Sequence, residues 1–150
     1  MMFINTNKTY INTQVLPTTW YLIDAKNQTL GRLSSKIAYL LQGKNQAIYS
    51  PSQINKIEII VINSELIHIS GKKREQKLYK RHSGRPGGLK QESFNALQSR
   101  LPNRIIEKAI KGMLPKNTLG RKLFTKLRIY PSSEHPYSNQ KNLNLIESNL

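Results

Sequence analysis

The sequence predicts an α/β domain whose strands run parallel. Residues 57–62 are β-branched almost without interruption, which is typical of a strand covered on both faces. Apolar residues at helical spacing over 30–42 separate this run from an earlier apolar, aromatic-rich run at 20–23. Strand, helix and strand within about forty residues form a βαβ unit, whose crossover is right-handed in nearly all proteins.

The elements of the first half follow from their boundaries. Asp24 closes the first strand, and Thr29 and Gly43 stand where the N-cap and C-cap of the helix over 30–42 belong. After the strand at 57–62, residues 66–70 alternate between apolar and polar side chains. This alternation predicts a further strand nearer the edge of the sheet.

The second half is predicted to contain three short helices and a last strand. Phe94, Leu97 and Leu101 mark one helix, and a second begins at Pro102 and stops before Pro115. A third covers about 118–127, with basic residues on the side away from its apolar arc. The predicted strand starts at Leu127 and ends before Pro131.

Length and composition limit the possible classes of protein. A chain of 150 residues is one ordinary domain, and with no cysteine it has no disulfides, thiolate metal sites or cysteine nucleophile. The longest apolar run, 37–41, is far shorter than the about 20 residues needed to cross a bilayer. We therefore expect a soluble protein without a membrane partner. Residues 1–19 lack the pattern of a targeting peptide and are interpreted as an arm.

The positive charge is concentrated in one part of the chain. Of the net charge of +16, residues 72–128 carry +14, from seventeen basic and three acidic side chains. A neutral scaffold with one strongly basic portion is the pattern of a dedicated anion-binding surface. Nucleic acid is the expected partner.

Residues 72–90 contain eight basic side chains and one acid. We interpret this segment as a long basic loop that binds RNA and stays mobile until phosphates supply counter-charge, because its charges repel one another and its glycines add backbone entropy. The alternative is a solvated charged loop. Guanidinium and ammonium groups suit phosphates, Tyr79 and His82 could stack on bases, and glycines allow close backbone approach. The candidate residues are Lys72, Lys73, Arg74, Lys77, Tyr79, Lys80, Arg81, His82, Ser83, Gly84, Arg85, Gly87, Gly88 and Lys90.

Enzyme and cofactor chemistry are not supported by the sequence. The glycines of this segment fail the P-loop pattern, since Leu89 stands where the second Gly belongs and Gln91 replaces the hydroxyl residue. Gly31, alone after the first strand, does not make a dinucleotide fingerprint. The three histidines and eight acids are scattered, so neither a metal site nor a carboxylate cluster is predicted. We expect no cofactor, no metal and no small-molecule substrate.

Four motifs in order resemble the ribosomal protein L13 family of the large subunit. They are residues 20–25 with 29–33, residues 61–63, the sequence from His82 to Gly88, and residues 111–116 with 119–121. The resemblance covers about 20–137, and the basic loop and arm are most similar to plastid and cyanobacterial members. Residues 54–57 depart from the family, which usually has an acidic, Gly-containing turn there.

The resemblance implies a three-layer α/β/α domain on a mostly parallel four-stranded sheet, and a structural protein that binds large-subunit ribosomal RNA early in assembly, beside neighbouring ribosomal proteins. It carries no catalytic residues. Its contacts are the basic loop and the turn at 112–116 with the helix that follows. Together with the basic side of that helix, they add Lys111, Lys116, Arg121, Lys122 and Lys126 to the candidates.

We therefore expect an arm at 1–19, a ribosomal protein domain at 20–137 with its basic loop, and a C-terminal tail at 138–150. The expected location is the ribosome of the plastid stroma, with the bacterial cytoplasm as the alternative. Two other functions stay open. One is an RNA-processing enzyme that uses the basic surface to hold its substrate, and the other is an RNA-binding regulator acting off the ribosome as a second role.

Overall fold

The computed structural model describes residues 17–47, 49–140 and 143–146. The elements in chain order are β1 (Thr19–Asp24), α1 (Leu30–Leu41), β2 (Ile57–Ile62), α2 (Lys73–Gln76), β3 (Leu78–His82), β4 (Leu89–Ser93), α3 (Phe94–Arg100), α4 (Asn103–Met113), α5 (Thr118–Phe124), β5 (Leu127–Ile129) and β6 (Leu143–Ile146). Of the arm expected at 1–19, residues 1–16 lie outside the described residues.

Four strands form a parallel sheet in the order β5, β2, β1, β6. Leu22 of β1 lies opposite Ile60 of β2, and Ile60 in turn lies opposite Arg128 of β5. A separate antiparallel pair is made by β3 and β4. The predicted α/β class and the mostly parallel four-stranded sheet are confirmed.

Helices α1 and α4 cover one face of the sheet. Both crossovers, from β1 to β2 and from β2 to β5, step in the same direction, so right-handed connections place both helices on the same side. Ile57, Ile59 and Val61 of β2 are fully buried there, with Ile37 of α1 and Ile106 of α4. This layer is the main hydrophobic core.

The opposite face is crossed by the connection from β5 to β6, which must pass over β2 and β1. Tyr137 stacks on Trp20 of β1 with 5.4 Å between ring centroids, and the Arg128 guanidinium lies 5.2 Å and 4.9 Å from the Trp20 and Tyr137 rings. Over 130–140 this connection is irregular. Pro131 and Pro136 each remove a backbone donor, so this layer is built without a helix there.

One element prediction was wrong, and another needs a shorter boundary. Residues 66–70 make only one isolated bridge, His68 to Thr29, because α1 begins at Leu30 and removes the partner strand. The fourth strand is β6, within the segment expected to be a tail. The helix expected over 118–127 ends at Phe124, and Leu127 belongs to β5.

Candidate nucleic-acid interface

The segment expected to be a basic loop is a helical turn followed by a β-hairpin. Strands β3 and β4 pair over five positions, and the tip is closed by bonds from Ser83 N–H to the Gly88 carbonyl (3.2 Å) and from Gly88 N–H to the Arg85 carbonyl (3.0 Å). Gly84 and Gly87 have φ of 87° and 71°. These glycines serve a fixed turn, because only glycine takes such backbone angles without strain. The prediction of a loop over 72–90 is wrong, because residues 78–82 and 89–93 form paired strands.

Tyr79 anchors the hairpin to the domain. Its half-buried ring packs against the core, 6.5 Å from the Phe94 ring, and the Lys108 ammonium lies 4.8 Å from its centroid. Its hydroxyl oxygen is buried and has no hydrogen-bond partner among the described residues, and burial raises its pKa. The ring therefore acts as an anchor, whereas sequence reasoning assigned it to base stacking. His82 stays exposed, and its Nδ1 accepts the Gly84 N–H at 2.9 Å.

The two faces of the hairpin differ because side chains alternate along a strand. Lys80 and His82 face away from the helices, whereas Arg81 and Lys90 face α3 and α4. Between the hairpin and these helices lies a groove of about 660 Å³. We call it the hairpin groove; it is lined by Tyr79, Arg81, Lys90, Gln91, Glu92, Leu97, Arg100, Leu101, Arg104 and Lys108.

Five basic residues and one acid line the hairpin groove. The acid, Glu92, accepts hydrogen bonds from the Arg100 guanidinium at 2.8, 3.0 and 3.1 Å. Those bonds, with the charges of Arg100, Lys108 and Arg81, hold the pKa of the Glu92 carboxyl below its usual range. Sequence reasoning missed Arg100, Arg104 and Lys108 as site residues. The four-residue spacing of the last two was the available signal.

A second basic cluster surrounds the turn at 112–116. Lys111, Lys116 and Arg121 line a cavity of about 340 Å³ with apolar walls that include Phe124. Gly120 lets α5 approach the turn, since a Cβ there would stand 1.9 Å from the Pro115 carbonyl oxygen. The three predicted basic residues are thus brought together, and Lys122 is exposed beside them.

Lys126 differs from the prediction. It is half-buried, its ammonium donates to the Asn55 carbonyl, and burial followed by the charge of Lys56 lowers its pKa. A side chain held in this way stabilises the chain between two strands and is not a free phosphate contact. By contrast, the predicted basic residues within 72–90 are all exposed. They are Lys72, Lys73, Arg74, Lys77, Lys80, Arg81, Arg85 and Lys90.

The described parts of the chain were also searched for a metal site and for a membrane-spanning helix. Over 17–47, 49–140 and 143–146, no three His, Cys, Asp or Glu residues are grouped to hold a metal ion. The same ranges contain no helix long and apolar enough to cross a bilayer. The histidines lie apart, with His68 in the bridge to Thr29 and His135 near Tyr130.

Comparison with known proteins supplies independent observations. The family model described as ribosomal protein L13 matches residues 18–136. The large ribosomal subunit protein uL13 of Cyanothece sp. is 57% identical over 136 residues, covering 90% of this chain and 91% of that relative. The uL13c proteins of Porphyra purpurea and Gracilaria tenuistipitata var. liui are 56% and 58% identical over 135 residues, covering 90% of this chain and 95% and 94% of theirs.

Proposed function

Because the chain belongs to the ribosomal protein L13 family, whose members are structural components of the large ribosomal subunit and not enzymes, we propose that it binds large-subunit ribosomal RNA. The basic hairpin and the cluster around 112–121 are the binding surface. The resemblance found in the motifs of the sequence is confirmed, and so is the expectation that the protein is not an enzyme.

The single observation that carries the proposal is the placement of the charge. Nearly all of the excess positive charge lies in 72–128, and in the folded chain most of its side chains are exposed on or beside the hairpin and on α4 and α5. Cations fixed on rigid elements match a folded RNA with little loss of conformational entropy. Few acids interrupt them, so phosphates are the available counter-charge.

The proposal has two finer parts. The protein binds early in assembly, because a domain that folds on its own core can present its cations to nascent RNA before other proteins arrive; neighbouring large-subunit proteins join it later. The ribosome is that of the plastid stroma, which the similarity to uL13c proteins favours, and the bacterial cytoplasm is the alternative that the cyanobacterial relatives leave open.

The test compares the parent with Lys73→Ala combined with Arg74→Ala and Arg81→Ala. Binding to a large-subunit rRNA transcript is measured over a series of KCl concentrations, with a small-subunit transcript as competitor. We expect weaker binding, a shallower salt dependence and an intact cooperative melting transition, since these side chains are exposed. Unchanged binding by the triple variant, or equal affinity of the parent for both transcripts, overturns the proposal.

A further inference from the structure

Two pairs of like charges face each other across the hairpin groove. Arg81 and Lys90 are direct cross-strand partners in β3 and β4, a placement in which like charges destabilise an antiparallel pair. Arg104 and Lys108 stand four residues apart on α4, where like charges also repel. All four line the same groove.

The carboxylates near the groove offset only part of the positive charge that lines it. Glu92 is paired with Arg100 and interacts at longer range with Lys108 and Arg81. Glu107 pairs with Arg104 at 3.3 Å and offsets part of the charge of that residue. Across the ranges that the structure describes, no carboxylate lies within ion-pair distance of Arg81, Lys90 or Lys108.

We propose that the hairpin groove holds the sugar–phosphate backbone of the ribosomal RNA, whose phosphates supply the counter-charge that the protein lacks. This inference rests on the proposed function and assigns to it a specific place and two residues, Arg104 and Lys108, outside the basic segment. Arg81 and Lys90 contact phosphates from one wall and Arg104 and Lys108 from the other. Backbone is favoured over bases because the aromatic ring in the lining, Tyr79, is occupied by Phe94 and by Lys108.

The proposal makes stability and affinity change in opposite directions. Lys90→Gln relieves the repulsion with Arg81, so the melting temperature of the free protein rises by about 1–3 °C. The same substitution weakens rRNA binding and reduces the slope of log affinity against log salt by about 1. Lys108→Gln reduces the slope by a similar amount from the other wall. Substitution of a residue with a purely structural role would not raise the melting temperature while lowering the affinity for rRNA.

Two control substitutions distinguish the loss of a charge in the groove from the loss of a charge elsewhere on the protein. Lys80→Gln removes the same charge from the same hairpin, but Lys80 does not line the groove and lies opposite the uncharged Gln91, so the melting temperature stays at the parent value. Lys44→Gln removes an exposed charge beyond the C-terminal end of α1, outside the lining of the groove, and leaves the salt slope unchanged.

The outcomes distinguish this inference from the proposed function. If the parent prefers the large-subunit transcript but Lys90→Gln and Lys108→Gln bind it with the parent slope, the rRNA function stands and the groove assignment is overturned. If Lys90→Gln lowers the melting temperature, the like-charge pair is not under strain and the inference is overturned as well. If the parent has no preference for the large-subunit transcript, the proposed function fails and the groove assignment falls with it.

Discussion

The side-chain amide of Asn55 lies directly against Gly43. It donates a hydrogen bond to the Gln42 carbonyl at 2.7 Å, and a Cβ on Gly43 would stand only 1.8 Å from its Nδ2. Asn55 belongs to residues 54–57, which the motifs of the sequence led us to expect as a departure from the family, and its side chain satisfies a carbonyl at the end of α1. Asn55 and Gly43 therefore form one contact at the C-terminal end of α1.

This contact predicts a large cost for Gly43→Ala. The φ of 72° alone costs about 1–2 kcal/mol for a residue with a Cβ, and displacing Asn55 adds the loss of its hydrogen bond, about 1 kcal/mol. Urea unfolding measures the free energy. Gly71→Ala is the matched control, because Gly71 has a φ of 66° but nothing within 4 Å of a Cβ. Equal losses for both variants would show that the Asn55 contact contributes nothing.

Ile60→Asp is expected to prevent folding. Ile60 is fully buried in the second strand of the sheet, and an unpaired buried carboxylate costs several kcal/mol against a total stability of about 5–15 kcal/mol. Circular dichroism and gel filtration report the loss of the fold. Ile54→Asp, at a position 38% exposed, should fold normally. A soluble, cooperatively melting Ile60→Asp protein would contradict the buried parallel sheet.

The contact between Trp20 and Tyr137 is expected to hold the crossing connection on the sheet. Aromatic pairs of this geometry add about 0.5–1.5 kcal/mol beyond the area that they bury. In a double-mutant cycle of Trp20→Leu and Tyr137→Leu, the loss of unfolding free energy in the double variant should differ by that amount from the sum of the two single losses. Strict additivity would mean that the stacked geometry contributes no stability of its own.

The ion pair of Glu92 and Arg100 predicts a pH dependence of stability. The pKa of Glu92 is lowered in the folded protein, first by the hydrogen bonds from Arg100, so the stabilisation is present above the ordinary pKa of a glutamate. It is lost as the pH falls through the lowered value. Arg100→Gln should therefore flatten the acid side of the curve of melting temperature against pH, and Lys44→Gln should not. Parallel curves for the parent and Arg100→Gln would contradict the linkage.

Limited proteolysis tests whether the hairpin is formed before RNA binds. With strands paired over five positions, the free, folded protein should be cut by trypsin at Lys80 and Arg81 no faster than in its core elements. Tyr79→Ala removes the anchor to Phe94 and should make these sites the first to be cut. Rapid cutting of the parent there would restore the interpretation of a mobile loop.

Several features could be predicted from the sequence because they depend on local pattern. The β-branched run of β2 and the apolar spacings of α1 and α4 define which faces are buried whatever their partners are. The exposure of the basic residues in 72–128 can likewise be predicted from the sequence, because such a density of cations cannot be buried. These patterns, with the four motifs, were sufficient for the α/β class, the family and the strongly basic portion of the chain.

Other features depend on partners distant in sequence, and only the tertiary structure decided them. A short strand such as β6 carries too weak a pattern of its own and is recognised by its pairing with β1. The basic segment forms a hairpin because Tyr79 packs on Phe94, a contact that outweighs local repulsion. Likewise, the burial of Lys126 follows from its bond to Asn55 across the fold.

The hairpin groove is also a product of the tertiary structure. Its lining brings together Arg81 and Lys90 of the hairpin with Arg104 and Lys108 of α4. The packing of the hairpin against α4 decides this, because the electrostatic field depends on where charges lie in space and not on their order in the chain.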